Sequence, residues 1–214
     1  MTRTPKPSGR KLRDRKRGRR KSSTRELRPR FLIVCEGRET ETLYFKNFRV
    51  TVKVDVIGKG RNRKSLVEHA RDRSSYFANS GNEYTDIWAV FDLDQNSPTD
   101  ANDFIEAINL AHGIGIKPAY SNASFELWFL LHFQPMKENT SNRFQYLNML
   151  SRELGKDYDK TDRNLYDDLL PLQSKAIQNA EELMKGYENH HNPVQDKPCT
   201  TVHLLVKELK KYER

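Results

Sequence analysis

Two uninterrupted apolar runs, each ending in acid, do most to limit what this chain can fold into. Phe31-Leu-Ile-Val-Cys35 leads into Glu36-Gly-Arg-Glu-Thr-Glu41, and Ile87-Trp-Ala-Val-Phe91 leads into Asp92-Leu-Asp94. A strand with one solvated face alternates apolar and polar residues, whereas a strand covered on both faces is apolar throughout, as in parallel sheets flanked by helices. In such sheets ligands bind just outside the carboxyl ends of the strands. Both acidic clusters therefore stand where a site is expected.

The chain has 214 residues, 36% hydrophobic and 31% charged, enough for one ordinary core with a small helical annex. No apolar run approaches the roughly 20 residues that cross a bilayer, and the arginine-rich start lacks the apolar stretch of a signal peptide. Cys35 and Cys199 are too few for a disulfide framework and lack the paired spacing of a zinc site. A soluble, cytoplasmic protein is expected. The net charge of +9 is uneven: residues 1–30 carry +12, leaving −3 for residues 31–214. Residues 1–29 have almost nothing apolar to bury, so they read as a disordered basic tail. Arg13, Arg15, Lys16, Arg17, Arg19, Arg20 and Lys21 suit a sequence-indifferent, salt-sensitive grip on nucleic acid. A merely solubilising tail is the alternative.

From residue 30 strand-like and helix-like segments alternate, the mark of an α/β fold. Strands are expected at Phe31–Cys35, Val52–Ile57, Ile87–Phe91 and Gly115–Tyr120. The helices between them are Thr40–Val50, a second starting at the Ser65-x-x-Glu68 capping box and running to about Phe77, and a third entered at Ser97-Pro98 and closed by Gly113. Ser124 is placed to cap the apolar helix Phe125–Phe133, which Pro135 ends. Beyond Met136 the strand signals fade, and helices are expected around Arg143–Leu154, Gln173–Tyr187 and Thr201–Tyr212. This divides the chain into a tail (1–29), a catalytic-sized core (30–135) and a helical extension packed on it (136–214). His190 and His191 fall in a polar loop without a third ligand at a zinc spacing, and read as solvated.

Residues i and i+2 of a strand face the same side, so Asp92 and Asp94 project together where the strand continues that far. With Glu36 from another strand end they make an all-oxygen set suited to Mg²⁺ or Mn²⁺. Such an ion neutralises phosphate charge and activates water, which points to phosphodiester chemistry. Helix-start acids and turn-forming aspartates are the plainer reading of the same residues. Gly58-Lys-Gly-Arg-Asn-Arg-Lys-Ser65 lacks the spacing of a phosphate-binding P-loop. Its Lys59, Arg61, Arg63 and Lys64 could instead grip a nucleic-acid backbone.

Glu36-Gly37 after one strand and Asp92-x-Asp94 after another resemble the Toprim catalytic core of topoisomerases, primases and OLD-type nucleases. Val34-Cys-Glu-Gly-Arg-Glu-Thr-Glu-Thr-Leu-Tyr-Phe45, Phe91-Asp-Leu-Asp94, Ser121-Asn-Ala-Ser-Phe-Glu-Leu-Trp-Phe-Leu-Leu-His-Phe133 and Lys197-Pro-Cys-Thr-Thr-Val-His203 are closer still to RloB-like proteins. That resemblance implies a Toprim-like, Rossmannoid, mostly parallel sheet flanked by helices. It implies a metal-dependent nuclease acting on RNA, tRNA included, or on DNA, as an anti-phage, abortive-infection effector paired with an ABC-type ATPase. Glu36 would be the Toprim glutamate and Asp92 and Asp94 the metal pair. Glu41 matches a Thr-Glu step with Thr40; Asn122, Phe125, Glu126 and His132 match the later stretch, with Glu126 a further ligand candidate and His132 better read as a core or surface histidine than as a catalyst. Gln95 and Asn96 stand where topoisomerases and primases continue with aspartate and glycine, which leaves a second metal to Glu41 or Glu126. A homodimer is compatible with this reading. A non-catalytic nucleic-acid- or nucleotide-binding module is the competing class, and a haloacid-dehalogenase-type phosphotransferase ranks below it, because there the acidic pair follows the first strand.

Overall fold

The structure is a computed structural model that describes residues 29–60, 62–93, 99–137, 143–187 and 190–214. The basic tail with Arg13 to Lys21, the loop residue Arg61, and Asp94 with the Ser97-Pro98 cap lie outside the described residues.

The apolar runs form the middle of a five-stranded sheet: β1 (Arg30–Cys35), β2 (Lys53–Gly58), β3 (Asp86–Asp92), β4 (Lys117–Asn122) and β5 (Cys199–Thr200), in the order β2-β1-β3-β4-β5. The first four strands are parallel, and β5 runs antiparallel to β4. Phe31 through Cys35 are fully buried, as continuous apolarity requires of a strand covered on both faces.

The period-two alternation of β1 divides its side chains between two helical layers. Leu32 and Val34 join Ala89 and Phe91 under α2 (Arg63–Ala78) and α3 (Asp100–Gly113). Phe31, Ile33 and Cys35, with Trp88 and Val90, face the other layer. That layer holds α1 (Thr40–Lys46), α4 (Glu126–Phe133), α5 (Arg143–Leu154), α6 (Leu165–Leu169), α7 (Gln173–Lys185) and α8 (Val202–Lys210). Helix α4 is apolar all round because it is wrapped all round; Leu127 to Leu131 are each fully buried between the sheet and the C-terminal helices. Each such side chain contributes about 1.5–3 kcal/mol relative to exposure. The C-terminal segment thus shares one hydrophobic cluster with the sheet and also supplies β5.

Several local expectations are corrected. Helix α1 stops at Lys46 instead of Val50, because Val50 bridges to Glu213 and the Thr51 amide donates to the Tyr212 carbonyl (2.8 Å). The second helix is capped by Asn62, whose Oδ1 accepts from the Ser65 amide at 3.0 Å, in place of the box at Ser65. The left-handed residue after α3 is Gly115 (φ 73°), two residues past the expected Gly113. Ser124 does not cap α4 with its side chain; its carbonyl accepts from the Leu127 amide instead. The short strand β5 was not expected.

Candidate functional site

Parallel pairing sets the acids side by side. Cys35 is in register with Val90, and the Glu36 amide donates to the Val90 carbonyl at 2.8 Å, so Glu36 leaves β1 beside Asp92 leaving β3. The Asp92 amide donates to Glu36 Oε2 (3.3 Å). On the other side, Asp92 Oδ2 accepts from the Phe125 amide (2.9 Å), which ties the β3 end to the start of α4. Glu126, the first residue of α4, is 2% exposed.

Glu41 completes the group, and the geometry explains Gly37. A Cβ at residue 37 would lie 1.8 Å from Glu41 Oε2, so the Glu-Gly step lets the α1 carboxylate come up against the chain that carries Glu36. Thr42 Oγ1 donates to the Gly37 carbonyl (2.8 Å), and a Cβ at Gly58 would meet Thr42 Oγ1 at 2.5 Å, so the turn is seated against the end of β2. Burial raises the Glu41 carboxyl from its ordinary 4.5 to about 7, the negative charges of Glu126 and Glu36 add to the rise, and the amides of Glu41 and Gly37 oppose it.

Glu36, Glu41, Asp92 and Glu126 open into one cleft of about 400 Å³, which Gly37, Arg38, Glu39, Thr40, Phe125, Arg143 and Lys160 also line. Five acids and three bases leave its walls net negative. Lys160 Nζ stands 3.8 Å from Glu126 Oε1. Among the described residues no group of three or more His, Cys, Asp or Glu converges as a ready-made metal cluster. The donors are nevertheless all carboxylate oxygens, the kind a hard divalent cation takes, and their mutual repulsion is what such a cation relieves.

Arg63, expected to grip a nucleic-acid backbone from the surface, is buried and turned inward. Its Nε donates to the Asp92 carbonyl (2.6 Å) and lies 4.0 Å from Glu36 Oε2, while Nη1 is 3.7 Å from Asp100 Oδ1. Lys64 pairs with Glu106 on the surface (3.1 Å), and the amide of half-buried Lys59 prolongs β2 by donating to the Cys35 carbonyl (3.0 Å). Asn122 points away from the cleft and donates to the carbonyls of Pro193, Val194 and Asp196. Of the core and surface positions open to it, His132 takes the core: Nδ1 bonds the Trp128 carbonyl (2.9 Å), and burial lowers its pKa to about 4. His191 is not simply solvated. Its Nδ1 is hydrogen-bonded to Asp196 Oδ2 (2.5 Å) and its Nε2 to the Tyr120 hydroxyl (2.8 Å), which pins the 190–198 loop to β4.

Arg38, Arg143 and Lys160 were missed as site residues from sequence. Lys160 sits in a loop rich in charge, with no periodicity to single it out.

Compared with known proteins, residues 31–209 match the family described as RloB-like protein. No curated protein and no solved structure matches the chain.

Proposed function

The chain belongs to the RloB-like family, and on that premise we propose that it is a metal-dependent nuclease of Toprim type that cleaves phosphodiesters in RNA or DNA. The observation that carries the reading is that Glu36, Glu41, Asp92 and Glu126 all line one cleft, beside the carboxyl ends of parallel strands. Glu36 and Asp92, with Asp94 two residues further along the chain, would hold Mg²⁺ or Mn²⁺. When bound, the ion supplies charge neutralisation at the phosphate and a more acidic water. Arg63 fixes the direction of Glu36 and of the β3 end, and the Phe125 amide orients Asp92. Glu41 and Glu126, both nearly buried, line the same cleft, where they can orient an attacking water by accepting its hydrogens. The basic tail would hold the substrate strand. A role as an anti-phage abortive-infection effector controlled by an ABC-type ATPase belongs to the same proposal.

The test is cleavage of a labelled pool of tRNA, single-stranded RNA and plasmid DNA in Mg²⁺, Mn²⁺ or EDTA. Metal-dependent cuts that disappear in both Glu36→Gln and Asp92→Asn are expected. A second reading, a non-catalytic nucleic-acid-binding module, is favoured by one observation: Arg63 already offsets part of the charge of Glu36. Binding that is independent of metal and unchanged in both variants, without cleavage even when the cognate ATPase is supplied, would replace the nuclease reading with that one.

A further inference from the structure

The five acids that line the cleft share it with three cations, Arg38, Arg143 and Lys160. Two of these cations come from the C-terminal half of the chain: Arg143 opens α5, and Lys160 stands on the loop of residues 155–164 between α5 and α6. That loop is braced from within. Lys156 Nζ spans Asp162 (2.7 Å) and Asp168 (3.4 Å), and Asp159 Oδ1 accepts from both the amide and the hydroxyl of Thr161 at 2.8 Å. The Tyr158 amide donates to Ser151 Oγ (3.0 Å), and the Tyr158 ring packs edge-on against Phe129. The Tyr158 phenolic oxygen is buried, so the loop is anchored against the side of α4 that carries Phe129.

Lys160 differs from its neighbour Lys156. Its ammonium lies 3.8 Å from Glu126, an ion pair beyond hydrogen-bond length, and its side chain is 40% exposed. A cation held on a braced loop at the mouth of an acidic cleft is pre-organised for an anion. An anion brought near five carboxylates is repelled unless cations face it, and among the cleft-lining residues the facing cations are Arg38, Arg143 and Lys160.

Building on the phosphodiesterase reading, we propose that Lys160 and Arg143 are substrate-positioning residues that take the non-bridging oxygens of a phosphate lying across the mouth of the cleft. Arg143 brings a guanidinium charge to that phosphate, and Lys160 acts as a point charge. The volume of about 400 Å³ is at the small end of ligand pockets, room for one nucleotide unit out of its stack. The ligand class is therefore a single strand or a strand end, not an intact duplex.

The test uses the full chain and a 5′-phosphorylated thymidine dinucleotide, whose few charges give a long basic arm little to hold. Binding is measured by titration calorimetry in Mg²⁺ for the unmodified protein, Lys160→Met, Lys160→Arg and Arg143→Met, with thermal midpoints as the folding control. Each methionine variant should weaken binding about ten- to hundred-fold, and Lys160→Arg should restore most of the loss. In cleavage assays the same variants should raise KM more than they lower kcat. Equal binding by the unmodified protein and both methionine variants, or no binding by the unmodified protein, overturns the proposal even if Glu36→Gln still abolishes cleavage. Weakened binding in the variants from a protein that cleaves nothing upholds the phosphate contacts and removes only the nuclease reading. If Arg143→Met lowers the thermal midpoint, the Lys160 pair of variants decides.

Discussion

Replacing Glu41 by glutamine should make the metal-free protein more stable, and only above about pH 4.5. Glu41 is 5% exposed, and its carboxyl titrates near 7 in the fold against an ordinary 4.5. The folded protein therefore holds this proton more tightly than the unfolded chain does, and stability falls as pH rises from 4.5 to 7. The difference is worth about 3 kcal/mol once both states are ionised. Glutamine removes that pH-dependent loss while its carbonyl still accepts from the amides of Glu41 and Gly37. The assay is urea unfolding in EDTA at half-unit steps from pH 4 to 8. The two stability curves should run parallel below pH 4.5, diverge through the window, and stay about 3 kcal/mol further apart above pH 7. Mg²⁺ at pH 8 should narrow the gap, because a bound cation offsets the repulsion from Glu126 and Glu36. A gap independent of pH would refute the argument that burial and neighbouring carboxylates hold the proton on Glu41.

Gly37→Ala should cost about 1–3 kcal/mol, and it should abolish cleavage, because the new Cβ lies 1.8 Å from Glu41 Oε2 and the buried Glu41 must move; thermal unfolding and activity read the two effects. Arg63→Met leaves the Asp92 carbonyl and the Asp100 carboxylate without this cation, so about 2 kcal/mol of stability should be lost in denaturant titrations. His132 predicts a second pH window of the opposite sense. Its pKa is depressed from 6.5 to about 4, so stability is complete above pH 6.5 and declines by about 3 kcal/mol as pH falls toward 4. His132→Gln should flatten that part of the stability profile, and an unchanged profile would show that burial does not shift the imidazole's titration from that of the unfolded chain.

The strands were legible because burial on both faces leaves a signature in one short run: Phe31–Cys35 and Ile87–Phe91 hold no polar residue, and both are strands within a residue or two of the expected ends. Glu36 and Asp92 were legible for the same reason, being the first charges after those runs. Capping was not, because it depends on which oxygen reaches the orphan amides; Asn62 stood close enough to displace Ser65, and Ser124 was drawn into the core. Arg63 shows the limit most clearly. In sequence it is one of four cations in a turn, and only the approach of β3 decides that this one turns inward to Asp92 while Lys64 turns outward to Glu106. Lys160 and Arg143 reach the cleft through packing of α4 against α5, a contact with no local trace.

The sharing of one hydrophobic cluster by the first strand and the last helix has a consequence for synthesis on the ribosome. A nascent chain emerging as far as Pro135 already contains Glu36, Glu41, Asp92 and Glu126, yet the outer side of α4 has nothing to cover it, and Lys160 has not been made. Neither β5 nor the pairing of Arg49 to Thr51 with Tyr212 to Arg214 can form until nearly the whole segment has been translated. Completion of the fold thus waits for residues 199–214, and the cleft waits for Arg143 and Lys160. A chain cut short before these residues would carry Glu36, Glu41, Asp92 and Glu126 in an unfinished, protease-sensitive fold.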